Sequence, residues 1–305
     1  MKEGAAAEQA VSEAGRRTKA RRDLARNEHF DEVSPEVGQL DEDAFDDAMR
    51  DDPDAALALL ADLTGATDER LRALARRLAG RIMVDIARKG RARPRRIGRM
   101  TRRPYRDDGG EIDLDASLEP IAIARGTGTA VDPEQLVVRD WARPETALCL
   151  LVDRSGSMTG RPLATAAVAA AAMATRAGTD YSVVAFAADA VVAKSQDVVR
   201  AAEVVVTDVL TLRGFGTTDL ALALRTAQAQ LARSSAARRI TVLLSDCRAT
   251  VPGDIHGAAR GLDELIILAP EGDSSDAEAF AAATGARLAT VSGPSDIPGA
   301  LERVL

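Results

Sequence analysis

Three oxygen-bearing side chains stand at alternate positions where an apolar stretch of the sequence, residues 146–152, comes to an end. They are Asp153, Ser155 and Ser157, and Gly156 between the serines allows the chain to turn. Carboxylate and hydroxyl oxygens suit a hard divalent cation such as Mg²⁺, which takes about six oxygen ligands and keeps some of them as water. The same residue types also form turns and cap helices. This segment alone therefore fits a cation site and a structural turn equally well.

Two later segments carry the same kinds of side chain. Thr217 and Thr218 lie in a glycine-containing loop, residues 214–219, that opens an amphipathic helical pattern. Asp246 closes a second apolar stretch. A threonine at the start of a helix is also an ordinary helix cap, so neither segment is specific by itself. Together with Asp153, however, these residues fall at strand ends and helix starts, which an open sheet brings to one edge.

The pattern after residue 145 predicts the sheet that would hold these loops. Strands that are apolar on both faces alternate with helical stretches, which is typical of a mostly parallel sheet covered on both sides. The link at 187–190 is too short for a crossover, so one edge strand should be antiparallel. We predict a Rossmann-like open α/β sheet, preceded by a small helical region. Its strands are expected at 146–152, 182–187, 190–194, 240–245, 264–268 and 288–291.

Composition predicts four segments along the chain: a disordered charged tail at 1–40, a helical region at 41–90, a basic connector at 91–144 and the sheet domain at 145–305. In the helical region, Asp52 and Pro53 form a cap and first turn, and Thr67 is expected to cap a second helix. The connector is rich in arginine, proline and glycine. Its apolar triplets at 112–114 and 121–123 predict short strands.

Composition also limits the classes of function. No stretch reaches the ~18 apolar residues of a membrane helix, and the first residues lack the apolar core of a signal peptide. Cys149 and Cys247 lie in apolar stretches, which predicts buried, reduced thiols. We therefore expect a cytoplasmic protein without a membrane partner. The basic segment 88–106 could contact phosphates, but Tyr105 is its only aromatic residue and the acidic segment 28–54 competes for its charges, so nucleic-acid binding is disfavoured.

The three loops together resemble the metal-ion-dependent adhesion site of the von Willebrand factor A (VWA) domain family. That site combines an Asp-x-Ser-x-Ser loop, matched by Asp153, Ser155 and Ser157, with a threonine and an aspartate from two further loops. The resemblance covers roughly residues 145–305. It implies that these residues hold one Mg²⁺ or Mn²⁺, with an acidic side chain of a partner protein completing the coordination.

The threonine and the second aspartate are assigned through the same resemblance. Thr218 matches the threonine because Asp219 and Leu220 follow it, although Thr217 competes by one residue. Asp246 matches the aspartate of the last loop. Cys247 stands where many relatives have glycine, which is a departure from the family pattern.

Within the family, the chain is most similar to bacterial cytoplasmic members allied to magnesium-chelatase and CoxE-type proteins. The similarity lies in residues 151–158 and 110–114, and in the charged helical region before the sheet domain. Such members commonly work with MoxR-type AAA+ ATPases, so the resemblance implies an ATPase of that type, its client, or both as partners. An accessory subunit that assists metal insertion into a cofactor, as in magnesium chelatase, is the alternative.

The sequence offers little for catalysis. A phosphatase of the haloacid dehalogenase type needs an aspartate where Ser155 stands, and residues 156–160 have the wrong spacing for a nucleophile elbow. His29 and His256 are the only histidines, and each is expected at the surface. A Walker phosphate loop is absent from the sequence. We predict a metal-dependent binding module rather than an enzyme, and a metal-dependent hydrolase is the weakest alternative.

Overall fold

The structure, a computed structural model, describes residues 1–16, 18–89, 99–105, 111–142, 146–154, 159–212, 214 and 216–305. Its strands are β1 (Arg99–Pro104), β2 (Glu111–Ile112), β3 (Val137–Ala142), β4 (Thr146–Asp153), β5 (Tyr181–Phe186), β6 (Ala190–Lys194), β7 (Arg238–Leu244), β8 (Glu264–Pro270) and β9 (Arg287–Val291). Its helices are α1 (Ala5–Ala14), α2 (Arg21–Leu24), α3 (Phe30–Val33), α4 (Glu42–Asp51), α5 (Pro53–Leu63), α6 (Glu69–Lys89), α7 (Leu114–Thr127), α8 (Arg161–Ala177), α9 (Ala202–Thr211), α10 (Leu220–Leu231), α11 (Ile255–Arg260), α12 (Ser275–Thr284) and α13 (Ile297–Val304).

Six of these strands form one sheet in the order β6-β5-β4-β7-β8-β9. All neighbouring pairs are parallel except β5 and β6, which form an antiparallel hairpin at one edge. The predicted α/β class, the mostly parallel sheet and its antiparallel edge strand are confirmed. In the central pair, Val152 lies opposite Leu244, so β4 and β7 end side by side at the carboxyl edge.

Both faces of the sheet are buried, because successive side chains of each strand point to opposite sides. On one face, Leu148 and Leu150 join a core with helix α8, and on the other, Cys149 and Leu151 join a core with helix α10. Helix α8 is buried from Leu163 to Met173. Helices that are apolar all round are found inside proteins, so a further layer must cover α8. No helix among the described residues is both long and apolar enough to cross a membrane.

The N-terminal helices supply that layer, and here the structure differs from the sequence prediction. The predicted disordered tail contains α1, α2 and α3, and both Phe30 and Val33 are fully buried. Helices α5 and α6 pack against α8 and share its core, and residues 1–92 form one compact unit with 146–305. The charged composition of the segment hid its few apolar residues, which are buried because they join the core that α5, α6 and α8 share.

The caps of these helices agree with the prediction in part. The Asp52 side chain accepts hydrogen bonds from the N–H groups of Asp54 and Ala55, as expected for the start of α5. At the start of α6, the carboxylate that accepts the capping bond, from Leu71 N at 2.7 Å, belongs to Asp68. The prediction of Thr67 as this cap is therefore wrong by one residue.

The edge of the sheet beside β6 is covered by the first residues of the chain. Lys2 N donates to Ala190 O at 2.6 Å, and Val192 N donates to Lys2 O at 2.9 Å. The Glu3 carboxylate next to this bridge accepts hydrogen bonds from Arg233 and Ser195, and the Arg233 contact lowers its pKa to about 2. An unpaired strand edge attracts foreign strands, so this short bridge protects the hairpin.

Residues 93–145 form a second compact unit. Strands β1, β3 and β2 pair antiparallel in that order. The strand predicted at 112–114 is present in part, as β2, whereas the one predicted at 121–123 is wrong because helix α7 runs through it. Helix α7 begins at a capping aspartate, Asp113, and ends at Gly128, whose φ of 68° lies in the left-handed region. These two helix signals outweigh the β-branched character of the apolar triplet.

Asp113 is the electrostatic centre of this second unit. Its buried carboxylate accepts hydrogen bonds from Arg102 Nε at 2.6 Å and from Arg139 Nε at 2.9 Å. It also caps α7 through the N–H of Ala116 at 3.2 Å. The arginine contacts, Arg139 first, lower the pKa of Asp113 to about 2. The ionised carboxylate therefore joins two strands to the start of the helix.

We expect this carboxylate to make the second unit acid-sensitive. Because its folded pKa is depressed, its contribution to stability is fully present above the unfolded pKa of about 4 and is lost as the pH falls towards about 2. Amide hydrogen exchange in β1 and β3, corrected for the intrinsic pH dependence, should accelerate over this range. Asp113→Asn should show the faster exchange at pH 6 and should remove the step.

Asp115→Asn is the matched control, because the Asp115 side chain is 82% exposed and lies 3.6 Å from Arg139. It should leave the exchange profile close to that of the unmodified chain. An unchanged profile in Asp113→Asn would show that the arginine contacts do not hold this unit together.

Candidate metal site

The first and third loops meet at the carboxyl edge of the sheet. Asp153 is the last residue of β4, and Ser245 and Asp246 follow the end of β7 beside it. The Asp153 side chain is only 9% exposed, and its Oδ2 accepts a hydrogen bond from Ser245 Oγ at 2.7 Å. Ser245 Oγ in turn accepts from Cys247 N at 2.9 Å. The serine therefore connects the strand-end carboxylate to the backbone of the third loop.

The second loop is joined to the third by three hydrogen bonds. Thr218 N donates to Thr250 Oγ1 at 2.7 Å. In the reverse direction, Thr250 N and Val251 N both donate to Thr218 O at 3.1 Å. The position of Thr218 is thus fixed from its backbone rather than from its side chain.

Burial favours Thr218 over Thr217 as the residue that faces the site. Thr218 is 2% exposed, whereas Thr217 is exposed to solvent. Neither threonine caps helix α10, because Asp219 does so by accepting from Leu222 N at 2.8 Å. The reading of this segment as a threonine helix cap is therefore wrong. The Thr218 hydroxyl forms no hydrogen bond with any residue that the structure describes.

The first and second loops touch through their backbones. Gly214 packs so closely on the first loop that a Cβ atom at this position would lie 1.7 Å from Arg154 O and 2.5 Å from its carbonyl carbon. Only glycine allows this approach. Each of the three loops is therefore in direct contact with the other two.

The five predicted ligands can be placed only in part. Asp153, Thr218 and Asp246 lie in these three joined loops, and the two aspartates line one cleft. Ser155 and Ser157 lie outside the described residues. The alternative in which this segment caps α8 finds no support, because the residue at the cap position is Gly160, whose N–H donates to Asp62 at 2.9 Å.

Arg154 has a positioning role that the sequence did not reveal. Its side chain is 11% exposed and forms an ion pair with Asp189 at 2.8 Å, and Asp189 pairs with Lys2 at 2.9 Å. Burial lowers the pKa of Arg154, and the Asp189 carboxylate opposes that shift. The first loop is thus tied to the β5–β6 hairpin. The sequence did not predict this burial, because Arg154 is a charged residue between two candidate ligand positions.

Cys247 occupies a backbone conformation that normally favours glycine. Its φ is 65°, and it is the one residue other than glycine with a positive φ among those described. The thiol is buried, and burial, reinforced by the carboxylates of Asp246 and Asp153, raises its pKa to about 12. The side chain belongs to the apolar core on the α10 side of the sheet. Burial likewise raises the pKa of Cys149 to about 12, and both cysteines are buried, as predicted.

The donor set fits a hard divalent cation. Asp153 and Asp246 bring two negative charges and Thr218 brings a hydroxyl, which are oxygen ligands of the type that Mg²⁺ and Mn²⁺ accept. The structure shows no cluster of three or more histidine, cysteine or acidic side chains of metal-binding geometry within its described ranges.

A sheet of this order with three polar loops at its carboxyl edge is the arrangement of a VWA domain. The chain belongs to the family of VWA domain-containing CoxE-like proteins, whose family model matches residues 74–292. The match begins within helix α6 and ends just after β9, so it includes the second compact unit. No curated protein sequence matches the chain significantly.

Several solved structures are similar in part. A von Willebrand factor type A protein from Catenulispora acidiphila is 17% identical, with 53% of this chain and 42% of that chain covered and a TM-score of 0.41. The manganese-loaded TRAP protein of Plasmodium vivax is 15% identical, with 53% and 73% covered and a TM-score of 0.41. An aerotolerance-related membrane protein from Bacteroides fragilis is 14% identical, with 52% and 97% covered and a TM-score of 0.42. The chain spans less than half of the Catenulispora protein, and likeness at this level carries no information on ligands.

Gly214→Ala tests whether the contact between the first and second loops shapes the site. The added Cβ cannot share space with Arg154 O, so the loops must move apart, and metal affinity should fall about 10- to 100-fold, as for other supporting contacts of metal sites. Isothermal titration with Mn²⁺ measures the change. Gly299→Ala in helix α13, where the nearest foreign atom is 3.7 Å away, is the control. Equal Mn²⁺ affinity in Gly214→Ala would mean that this contact does not matter to the site.

Ser245→Ala tests the hydrogen bond to Asp153 in the same titration. Without it, the carboxylate loses its orienting donor, and we expect Mn²⁺ affinity to fall by a similar factor. Ser234→Ala is a matched control, because Ser234 is also buried, donates to a carboxylate (Asp180, at 2.6 Å) and accepts from a backbone N–H two residues later. If both variants change Mn²⁺ affinity equally, the effect is one of general stability.

Proposed function

We propose that this chain is a binding module that captures an acidic side chain of a partner protein through a divalent cation, Mg²⁺ or Mn²⁺. The residues proposed to hold the cation are Asp153, Ser155, Ser157, Thr218 and Asp246. The observation that carries the proposal is the mutual contact of three loops at the carboxyl edge of the sheet, with both aspartates lining one cleft.

The chemistry of the donors supports capture of a carboxylate. Only two of the proposed ligands are carboxylates and the others are neutral hydroxyl groups, so together they leave part of the roughly six-oxygen shell of the cation open. When bound, the cation would supply a positive centre that still attracts an anionic oxygen. Ser245 holds the Asp153 carboxylate in place, so the site does not need to reorganise when a partner arrives.

The surroundings of the cleft favour binding over catalysis. His29 lies next to Glu32 at 3.7 Å, and His256 packs against Phe280 with ring centroids 5.7 Å apart; neither lines the cleft. The thiol of Cys247 is buried in the core on the α10 side of the sheet. These side chains therefore offer no general base or nucleophile beside the two aspartates, and we assign the chain no reaction.

The proposed partner is a MoxR-type AAA+ ATPase or the client of that ATPase. This part of the proposal rests on the resemblance to bacterial CoxE-type members, with which the match to the CoxE-like family agrees. The proposed adaptor would bind its partner through the metal. Because the three loops contact one another, a change that moves one loop would disturb the metal site and release the partner.

Asp153→Asn is the sharpest test. The amide keeps the shape of the side chain and can still accept from Ser245, but it lacks the charge that the cation requires. Capture of the purified ATPase on immobilised full-length chain with Mg²⁺ should fall at least about 100-fold, roughly the effect of removing one charge partner. A chelator should have the same effect on the unmodified chain.

Asp197→Asn, a change at a surface carboxylate that lies 3.3 Å from Arg233, should leave capture unchanged. Circular dichroism confirms that each variant is folded. Strong, chelator-resistant capture by a folded Asp153→Asn variant would refute the proposal.

A further inference from the structure

A cleft of about 310 Å³ opens directly beside the candidate metal site. Asp153 and Asp246 line it, and apolar residues, Leu244, Pro270 and Val291, form another part of its wall. Its volume is at the lower limit of the roughly 300–1,000 Å³ typical of ligand pockets. A space of this size accommodates one or two side chains rather than a cofactor.

Helix α5 holds both rims of this cleft open. Near the end of the helix, Asp62 Oδ1 accepts from Gly160 N at 2.9 Å, just before α8 begins. Near its start, Asp54 Oδ1 accepts from Ser295 N at 2.9 Å. The same carboxylate lies so close to Gly293 that a Cβ there would be 2.1 Å from Asp54 Oδ2. The anchors are about 12 Å apart along the helix axis, so the cleft is preformed, which lowers the cost of binding.

The charge on the rim shows what kind of group the cleft accepts. Arg161, the first residue of α8, lines the cleft and is exposed, and it forms no ion pair with any part of the chain that the structure describes. Of the arginines nearest the two aspartates in sequence, Arg154 pairs with Asp189, whereas Arg248 pairs with Asp273 and Asp276 and also lies 3.9 Å from Asp246 Oδ2. Arg161 is therefore free to form charge-assisted hydrogen bonds with an incoming carboxylate.

We infer that the partner binds this cleft through a segment with two acidic side chains and one apolar side chain. The first carboxylate goes to the cation, the apolar side chain packs against Leu244, Pro270 and Val291, and the second carboxylate pairs with Arg161. This inference rests on the function proposed above and adds the recognition that a cation alone cannot give, because every exposed carboxylate is attracted to a divalent metal.

A library of random twelve-residue peptides displayed on phage tests the inference without knowledge of the partner. The library is applied to the immobilised full-length chain with Mn²⁺, and phage released by chelator are sequenced. We expect peptides with at least two acidic residues and a nearby leucine, isoleucine, valine or methionine. Selection on Arg161→Gln should keep the first acid and the apolar residue but lose the enrichment of the second acid.

Two variants then measure how much Arg161 and the open cleft contribute to the affinity for one synthetic peptide from the selection. Arg161→Gln should weaken binding about fivefold, as expected for one partly exposed charge pair. Ser292→Trp places a large side chain from an exposed loop position into the cleft and should abolish peptide binding. Both variants should bind Mn²⁺ as the unmodified chain does. Arg225→Gln, an exposed arginine of α10 without an ion pair in the described structure, is the control.

The outcomes separate this inference from the function on which it rests. One outcome would overturn the role of the cleft and leave metal-dependent capture intact. In that outcome, the peptides released by chelator carry a single acid and bind Ser292→Trp and Arg161→Gln as strongly as the unmodified chain. If no peptide is released by chelator, both proposals fall together. Loss of the second acid on Arg161→Gln, with blocked binding to Ser292→Trp, would establish the cleft as the docking site.

Discussion

The hydrogen bond from Ser245 to Asp153 is the contact on which the arrangement of the site depends. A carboxylate at the nearly buried end of a central strand is costly unless it is hydrogen-bonded and its charge is matched. The serine satisfies the first condition, and it does so from the neighbouring strand because β4 and β7 pair in register up to Val152 and Leu244. The cation proposed for this edge would contribute positive charge towards the second condition. In the third loop, Asp246 already has a positive neighbour, because the Arg248 guanidinium lies 3.9 Å from its Oδ2.

The N-terminal helices contact the surroundings of the site through hydrogen bonds to backbone N–H groups. Helix α5 covers the alanine-rich α8, and its two acidic residues, Asp54 and Asp62, reach past it to the loops that flank the cleft. The small side chains of α8 make this possible, because they allow a second helical layer to approach closely on the side away from the sheet. The layer therefore has two physical roles: it buries α8, and it fixes the entrance to the candidate site.

The sequence predicted the sheet well because its signals are local. Apolar stretches such as 146–152, bounded by polar turns, define strands, and the short link at 187–190 defines the antiparallel edge. It failed for residues 1–40, where Phe30 and Val33 are too sparse to form a periodic pattern and are buried because α3 packs on α4 and joins the shared core. At the site, residue types pointed to Asp153, Thr218 and Asp246. Ser245, Gly214 and Arg154 were missed, since their roles arise from contacts between segments far apart in sequence, 35 residues for Arg154 with Asp189 and 92 for Ser245 with Asp153.

The conformation of Cys247 shows that the third loop is held by its hydrogen bonds and by burial, against the conformational preference of the residue itself. A residue with a Cβ in the left-handed region costs on the order of 1 kcal/mol or more and persists only where its surroundings enforce it. Here the N–H of Cys247 is held by Ser245, and its thiol is buried in the core on the α10 side of the sheet. Glycine would relieve the strain but would also remove the buried side chain. The loop that carries Asp246 is thus clamped at the next residue, and the carboxylate is presented on a backbone that has little freedom to turn away.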